Sequence, residues 1–333
     1  MWSRNFTRGL LNRHPLSILQ IHRGIPQIKG IPNVKMTSSK AGIGGAFQPI
    51  KEKQAQNQPG LEKDLAPTSE STKLEGAHGF VEYVGSGKLE DKKAIVTGGD
   101  SGIGRSVAIL MAREGADVTI IYLREEQEDA EVTAEAIRKE GRECLLYPGN
   151  LTDEPTCKYA VAEHVKKFGR IDILVNNASR QFLCKDFTTI NLNAVKDTFE
   201  SNILQMITMC KYAVPHMEKG SSIINTSSVT AFRGSGSLID YASTKGAIIS
   251  FTKSLAKNLM PKGIRVNAVA PGPVHTPIQP ASRPAEQMEG FGSGSQIGRP
   301  GQPSEVAPSF IFLASKEASL YYGQVLHPYP LGD

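Results

Sequence analysis

From residue 88 onward, short apolar runs alternate with longer stretches of helical period. Ala94-Ile95-Val96 is a continuous apolar run that breaks into Thr97-Gly98-Gly99. An uninterrupted run of this length predicts a buried strand, and the glycines predict a turn. Ile103, Val107, Leu110 and Met111 then recur at helical spacing, which predicts a helix over residues 101–114 closed by Gly115. The same alternation predicts strands at 118–122, 144–147, 171–175, 222–226, 264–269 and 324–327. Helices are expected at 125–140, 157–168, 193–217, 241–258 and 305–314. Strand and helix taking turns at this spacing imply an α/β domain. The expected fold is one doubly wound parallel sheet with helices on both faces and right-handed crossovers.

Before residue 88 that regularity is missing. Residues 36–87 are rich in Gly, Pro, Gln, Ser and Lys, and read as a linker or extended arm that Tyr83 and Val84 could anchor. Residues 1–35 form an N-terminal extension in which Arg is spaced through Ser, Leu, Ile and Asn with no acid. Phe6 and Leu10 share one helical face, and Arg4 and Arg8 another. That is the pattern of a mitochondrial transit peptide, so a matrix location is favoured. Met36 leaves open a shorter, cytoplasmic form. The expected domain lies over 88–333.

Charge follows the same division. The chain is net +5, but residues 1–51 carry eight Lys or Arg and no acid, which leaves residues 52–333 at −3. A body of that sign argues against nucleic-acid binding. No apolar run is long enough for stable membrane insertion. Cys144, Cys157, Cys184 and Cys210 lack paired spacing, so neither a metal site nor a disulfide framework is expected.

Candidate chemistry sits at the ends of the predicted strands. Thr97-Gly98-Gly99-Asp100-Ser101-Gly102-Ile103-Gly104 joins the first strand to the first helix. Gly98 permits the turn, Gly102 removes a side chain where a pyrophosphate would approach, and Gly104 lets helix and strand pack closely. The helix start at Ser101, Gly102 and Ile103 offers free N–H groups to phosphates, the logic of a Rossmann-type dinucleotide site. No acid ends the second strand; Tyr122 is followed by Leu123 and Arg124. Arg124 could meet a 2′-phosphate bidentately, which favours NADP(H) over NAD(H). It could also be a surface charge paired with Glu128. Tyr241 and Lys245 stand four apart and share a helical face, with Ser228 thirteen residues upstream. A neighbouring ammonium should lower the phenol's pKa and make it a usable acid or base.

Taken together, Thr-Gly-x-x-x-Gly-Ile-Gly at 97–104, Asn-Asn-Ala at 176–178, Ser228, Tyr-x-x-x-Lys at 241–245 and Pro-Gly at 271–272 resemble the short-chain dehydrogenase/reductase family over residues 89–324. The glucose/ribitol dehydrogenase-like branch is the most similar. The resemblance implies a homotetramer and assigns roles by motif. Tyr241 is the general acid/base, Lys245 binds the nicotinamide ribose, and Ser228 holds the reacting oxygen. Asn202 supports a water relay to the lysine. Asn176 and Ala178 line the adenosine ribose, and Asn150 and Leu151 contact adenine. Pro271, Gly272, Val274 and Thr276 grip the nicotinamide amide and phosphates. Ser227 is the alternative to Ser228.

The expected function is therefore an NADP(H)-dependent oxidoreductase interconverting a small alcohol, polyol or sugar-like, with an aldehyde or ketone. One alternative is a silent dinucleotide-binding scaffold or redox sensor. A second is an RNA- or membrane-surface protein acting through its basic tail. Residues 280–296, rich in Gly, Ser, Pro and Met, are expected to cover the active site as a mobile lid.

Overall fold

The computed structural model describes residues 47–77 and 79–330. The expected transit peptide and the alternative start at Met36 lie outside the described residues.

The chain enters through a short 3-10 turn, Glu62–Asp64, and an antiparallel hairpin of β1 (Lys73–Gly76) and β2 (Gly79–Glu82). The main fold then runs β3 (Lys93–Thr97), α1 (Gly102–Arg113), β4 (Asp117–Tyr122), α2 (Gln127–Lys139), β5 (Cys144–Pro148), α3 (Glu154–Phe168) and β6 (Ile173–Asn176). It continues through α4 (Leu192–Phe199), α5 (Gln205–Ala213), β7 (Ser222–Thr226), α6 (Thr230–Arg233), α7 (Ile239–Leu259), β8 (Arg265–Val269), α8 (Pro303–Ala314) and β9 (Val325–Leu326).

Strands β3 to β9 form one parallel sheet in the order β5-β4-β3-β6-β7-β8-β9. Every residue of β4, β6, β7 and β8 is buried, as a sheet covered on both faces requires. On one face α1, α2 and α8 close a core around Leu110, Met111, Ile120 and Phe310. On the other, α3, α5 and α7 pack on Leu174, Met209, Ile223 and Leu259. The expected α/β architecture is the observed one. Two strands, β4 and β5, lead away from β3 on one side before the chain returns to β6 on the other. The carboxyl ends of β3 and β6 therefore part into a crevice, where doubly wound sheets bind ligands.

One expected helix is broken. Residues 193–217 form α4, a π-helical turn at Glu200–Leu204, α5, and a 3-10 turn around Pro215. A π turn inserts one residue into the helical register. Here the inserted turn carries Asn202, wholly buried, toward the segment after β6. Helix α3 starts earlier than its apolar period, because Pro155 occupies its first turn and needs no N–H partner there. No described helix is long and apolar enough to cross a membrane.

Residues 47–72 pack on the sheet's carboxyl side. Phe47, Ile50 and Leu65 are buried, the Gln56 N–H donates to the Pro280 carbonyl at 2.9 Å, and the Gly290 N–H donates to the Ile50 carbonyl at 2.8 Å. The segment expected as a lid is thus tied to residues well before the first strand of the sheet.

Candidate active site

A cleft of about 710 Å³ opens at the carboxyl ends of β3, β4, β6, β7 and β8. Among the expected site residues, Gly98, Ser101, Gly102, Ile103, Arg124, Asn150, Leu151, Ala178, Ser228, Tyr241, Lys245, Pro271, Gly272, Val274 and Thr276 all line it.

The glycine turn is shaped as a cradle. Gly98 and Gly102 have φ of +61° and +51°, which L side chains rarely adopt. A Cβ on Gly102 would also stand 3.0 Å from the Thr276 Cγ2 across the cleft. The backbone thus approaches whatever lies between turn and loop, and a dinucleotide pyrophosphate fits that space. One helix-start N–H is already used. Gly102 donates to the Glu62 Oε2 at 2.8 Å, and that carboxylate is wholly buried. Asp129 in turn accepts the N–H groups of Glu62 and Lys63 at 2.7 and 3.1 Å. The N–H of Ile103 remains for a phosphate. Glu62 was missed in the sequence because its partner is forty residues away and nothing local marks it.

Gly104, Asn176 and Asn202 do not reach the cleft. Gly104 packs beneath the turn, where a Cβ would meet the Gly98 carbonyl oxygen at 1.8 Å. Asn176 is the last residue of β6 and its side chain turns into the core, donating to Asn225 Oδ1 at 2.9 Å. Strand alternation puts Asn177 on the cleft instead, where it bonds the Thr97 and Gly98 carbonyls. The Asn202 amide donates to the Arg180 carbonyl and Thr244 Oγ1, and its oxygen accepts from the Arg180 N–H and Ser179 Oγ. With its hydrogen-bonding groups so engaged, this side chain positions the segment after β6.

Ser228, Tyr241 and Lys245 converge at the inner end. The Ser228 hydroxyl lies on the Tyr241 side of the cleft, where it favours the phenolate. Lys245 is buried, donates to the Thr226 carbonyl at 2.9 Å, and lies 5.2 Å from the Tyr241 ring centroid. Ser227 is separated from Ser228 by its partner, since its hydroxyl donates to the Lys245 carbonyl at 2.9 Å. The expected lowering of the phenol pKa is not the net result. Burial pushes Tyr241 up to about 12, the Ser228 hydroxyl and the Arg283 charge pulling only part of the way back. Burial also pushes Lys245 down to about 7. A low-dielectric pocket disfavours phenolate and ammonium alike, so in this state desolvation outweighs the pair's mutual attraction.

The outer end holds acids that the sequence did not single out. Asp100 is buried with its Oδ2 unpartnered, and burial raises it to about 6. Burial, then the nearby Asp100 charge, raises Glu126 to about 9, while its Oε2 accepts the Leu123 N–H at 2.8 Å. Arg124 is exposed beside them; Glu128, its alternative partner, bonds Lys63 at 2.6 Å. A carboxyl raised on folding contributes stability that is full below its unfolded pKa and lost as pH rises through its folded one. The Glu126 contribution to wild-type stability should therefore fall between pH 4.5 and 9. Thermal melts of Glu126→Gln should show a smaller fall and a higher Tm than wild type at pH 8.5, with no advantage at pH 4.5. Parallel curves would rule out a buried proton on Glu126. Among the described residues no His, Cys, Asp and Glu cluster could hold a metal ion, and all four cysteines are free thiols.

Comparison with known proteins gives a consistent assignment. A family model described as "Enoyl-(Acyl carrier protein) reductase" matches residues 98–328. The NADPH-dependent aldehyde reductase 1, chloroplastic, of Arabidopsis thaliana is 44% identical over 83% of this chain and 96% of its own. The glucose and ribitol dehydrogenase of Daucus carota is 42% identical over 86% and 96%. A short chain dehydrogenase from Burkholderia cenocepacia J2315, solved in complex with NADP, superposes with a TM-score of 0.68 at 32% identity, covering 72% of this chain and 97% of that one. With the glycine turn, the parted strands and the serine, tyrosine and lysine in one cleft, the chain belongs to the short-chain dehydrogenase/reductase family and is an oxidoreductase.

Proposed function

We propose that the chain is an NADP(H)-dependent reductase of small aldehydes or ketones, working reversibly on the matching alcohols, with Tyr241 as general acid/base. The observation that carries this reading is the placing of Tyr241, Ser228 and Lys245 in the same cleft as the glycine cradle. Gly98, Ser101, Gly102 and Ile103 would receive the pyrophosphate, and Arg124 a 2′-phosphate. When bound, the nicotinamide supplies the hydride in reduction and accepts it in oxidation. Ser228 donates a hydrogen bond to the carbonyl oxygen and holds it beside the phenol. Tyr241 delivers its proton to that oxygen, and Lys245 stands where its charge favours the phenolate left behind. The NADP-bound neighbour and the NADPH-dependent relative support this choice of dinucleotide.

Purified protein assayed with both dinucleotides against an aldehyde and ketone panel tests the reading. Turnover should be faster with NADPH, and Arg124→Leu should cut the NADPH/NADH ratio of kcat/KM at least tenfold. Faster turnover with NADH would reverse the cofactor choice. Dinucleotide binding with no carbonyl reduced would leave only the silent scaffold.

Two further parts of the reading concern its setting. Residues 1–35 direct the chain to the mitochondrial matrix, and N-terminal sequencing of protein recovered from mitochondria should find them removed. The chain assembles as a homotetramer, for which exposed Leu192, Leu204 and Ile207 supply apolar surface. Light scattering that gives a monomer mass would end that part.

A further inference from the structure

A second cavity, of about 560 Å³, lies beside the main cleft, and Gln58 lines both. Its wall includes two cations, Lys185 and Arg283, and no acid. Arg283 belongs to the loop after β8 and is half-buried. Its Nε donates to the Gln279 Oε1 at 3.1 Å, and its guanidinium carbon stands 5.4 Å from the Phe291 ring centroid. One edge and one face of the guanidinium are thereby fixed. No carboxylate among the described residues pairs with it. The contrast is with Arg299, which is buried and held by Glu75 and Glu305 at 2.8 Å each. Withdrawing a cation from water without a counter-charge is costly, so such a group usually meets one from elsewhere. The two terminal nitrogens of Arg283 form the edge that matches a carboxylate or phosphate bidentately.

Position ties this cavity to the chemistry. Gln279, to which Arg283 is bonded, lines the main cleft together with Tyr241. The Gln181 amide donates to the Ser282 hydroxyl at 2.7 Å and holds the Arg283 loop against the segment after β6. Gln58 donates to the Gln181 carbonyl at 2.7 Å and closes the third side. Phe182, with Arg180 over its ring at 5.8 Å, gives the cavity an apolar wall.

We propose that this cavity is the subsite for an oxyanion on the substrate. The carbonyl compound reduced at Tyr241 then carries a carboxylate or phosphate at its other end, held by Arg283 with Lys185 beside it. The substrate class rests on the reductase reading above; the anion subsite does not.

Matched substrates separate the sources of charge: 4-oxobutanoate against butanal for carboxylate, and glyceraldehyde 3-phosphate against glyceraldehyde for phosphate. In at least one pair the wild-type chain should favour the charged member at least tenfold in kcat/KM. Arg283→Gln should cut that preference at least tenfold, chiefly through KM, and Arg283→Lys should recover part of it. Lys185→Gln, at an exposed position where folding is not at stake, should cut it severalfold. Succinate and inorganic phosphate, which have no reducible carbonyl, give a readout free of turnover; calorimetry should show one of them binding wild type at least tenfold more tightly than Arg283→Gln. No charge preference in either pair, or equal binding to wild type and variant, overturns the subsite. Binding as expected without reduction of any carbonyl overturns the reductase reading alone.

Discussion

Tyr241→Phe should lower kcat for carbonyl reduction by about a thousandfold while leaving dinucleotide binding within a few-fold of wild type. The change removes one oxygen. The ring stays beside the Lys245 ammonium, whose main hydrogen bond runs to the Thr226 carbonyl and not to the phenol. Ser228, the neighbouring hydroxyl, also faces the cleft and can take water instead. Stability should therefore change by no more than about 1 kcal/mol. The rate should change far more, because positioned proton transfer contributes roughly a hundred- to ten-thousandfold. The pH dependence gives an independent check. Reduction needs the protonated phenol, and burial keeps Tyr241 protonated up to about 12. The phenol itself should therefore impose no loss of reductive rate between pH 6 and 9. Alcohol oxidation needs the phenolate and should climb over the same interval. A variant retaining more than a tenth of wild-type kcat would remove Tyr241 as the proton donor.

The sequence made the sheet and the inner half of the site readable, and for one reason. Both rest on local spacing. β3 runs straight into the glycine turn, and Tyr241 and Lys245 are one helical turn apart, so neighbours in sequence are neighbours in space. What was not readable depends on long-range contact or on local register. The buried carboxylate of Glu62 reaches Gly102 from a segment whose composition suggested only a linker. Asn176 and Asn177 are adjacent and identical, and only the strand's alternation decides which faces the cleft. The π turn that carries Asn202 inward leaves no mark in the apolar period of residues 193–217. The direction of the Tyr241 shift was also beyond reach, since the pair's attraction is visible in sequence while the depth of its burial is not.

Gly104→Ala should damage the fold and the dinucleotide site together. Gly104 lies within α1, where alanine is normally the better residue by about 1 kcal/mol. Propensity alone therefore predicts a gain. Sterics predict the opposite, because the added Cβ would sit 1.8 Å from the Gly98 carbonyl oxygen and 2.7 Å from the Asn177 Nδ2. Neither neighbour can yield cheaply. The Gly98 N–H donates to the Ile121 carbonyl at 2.7 Å, and the Gly98 carbonyl accepts from Asn177 at 3.2 Å. Moving the oxygen by more than an ångström breaks both and shifts the turn on which the pyrophosphate would rest. Overpacking of this kind costs roughly 1–3 kcal/mol and sometimes more, which exceeds the helical gain. Thermal melts should show a Tm several degrees below wild type, and fluorescence titration should show NADPH affinity down by more than tenfold. A Tm equal to or above wild type would mean that α1 can withdraw from β3 without cost. The close contact of helix and strand would then not be what holds the cradle open.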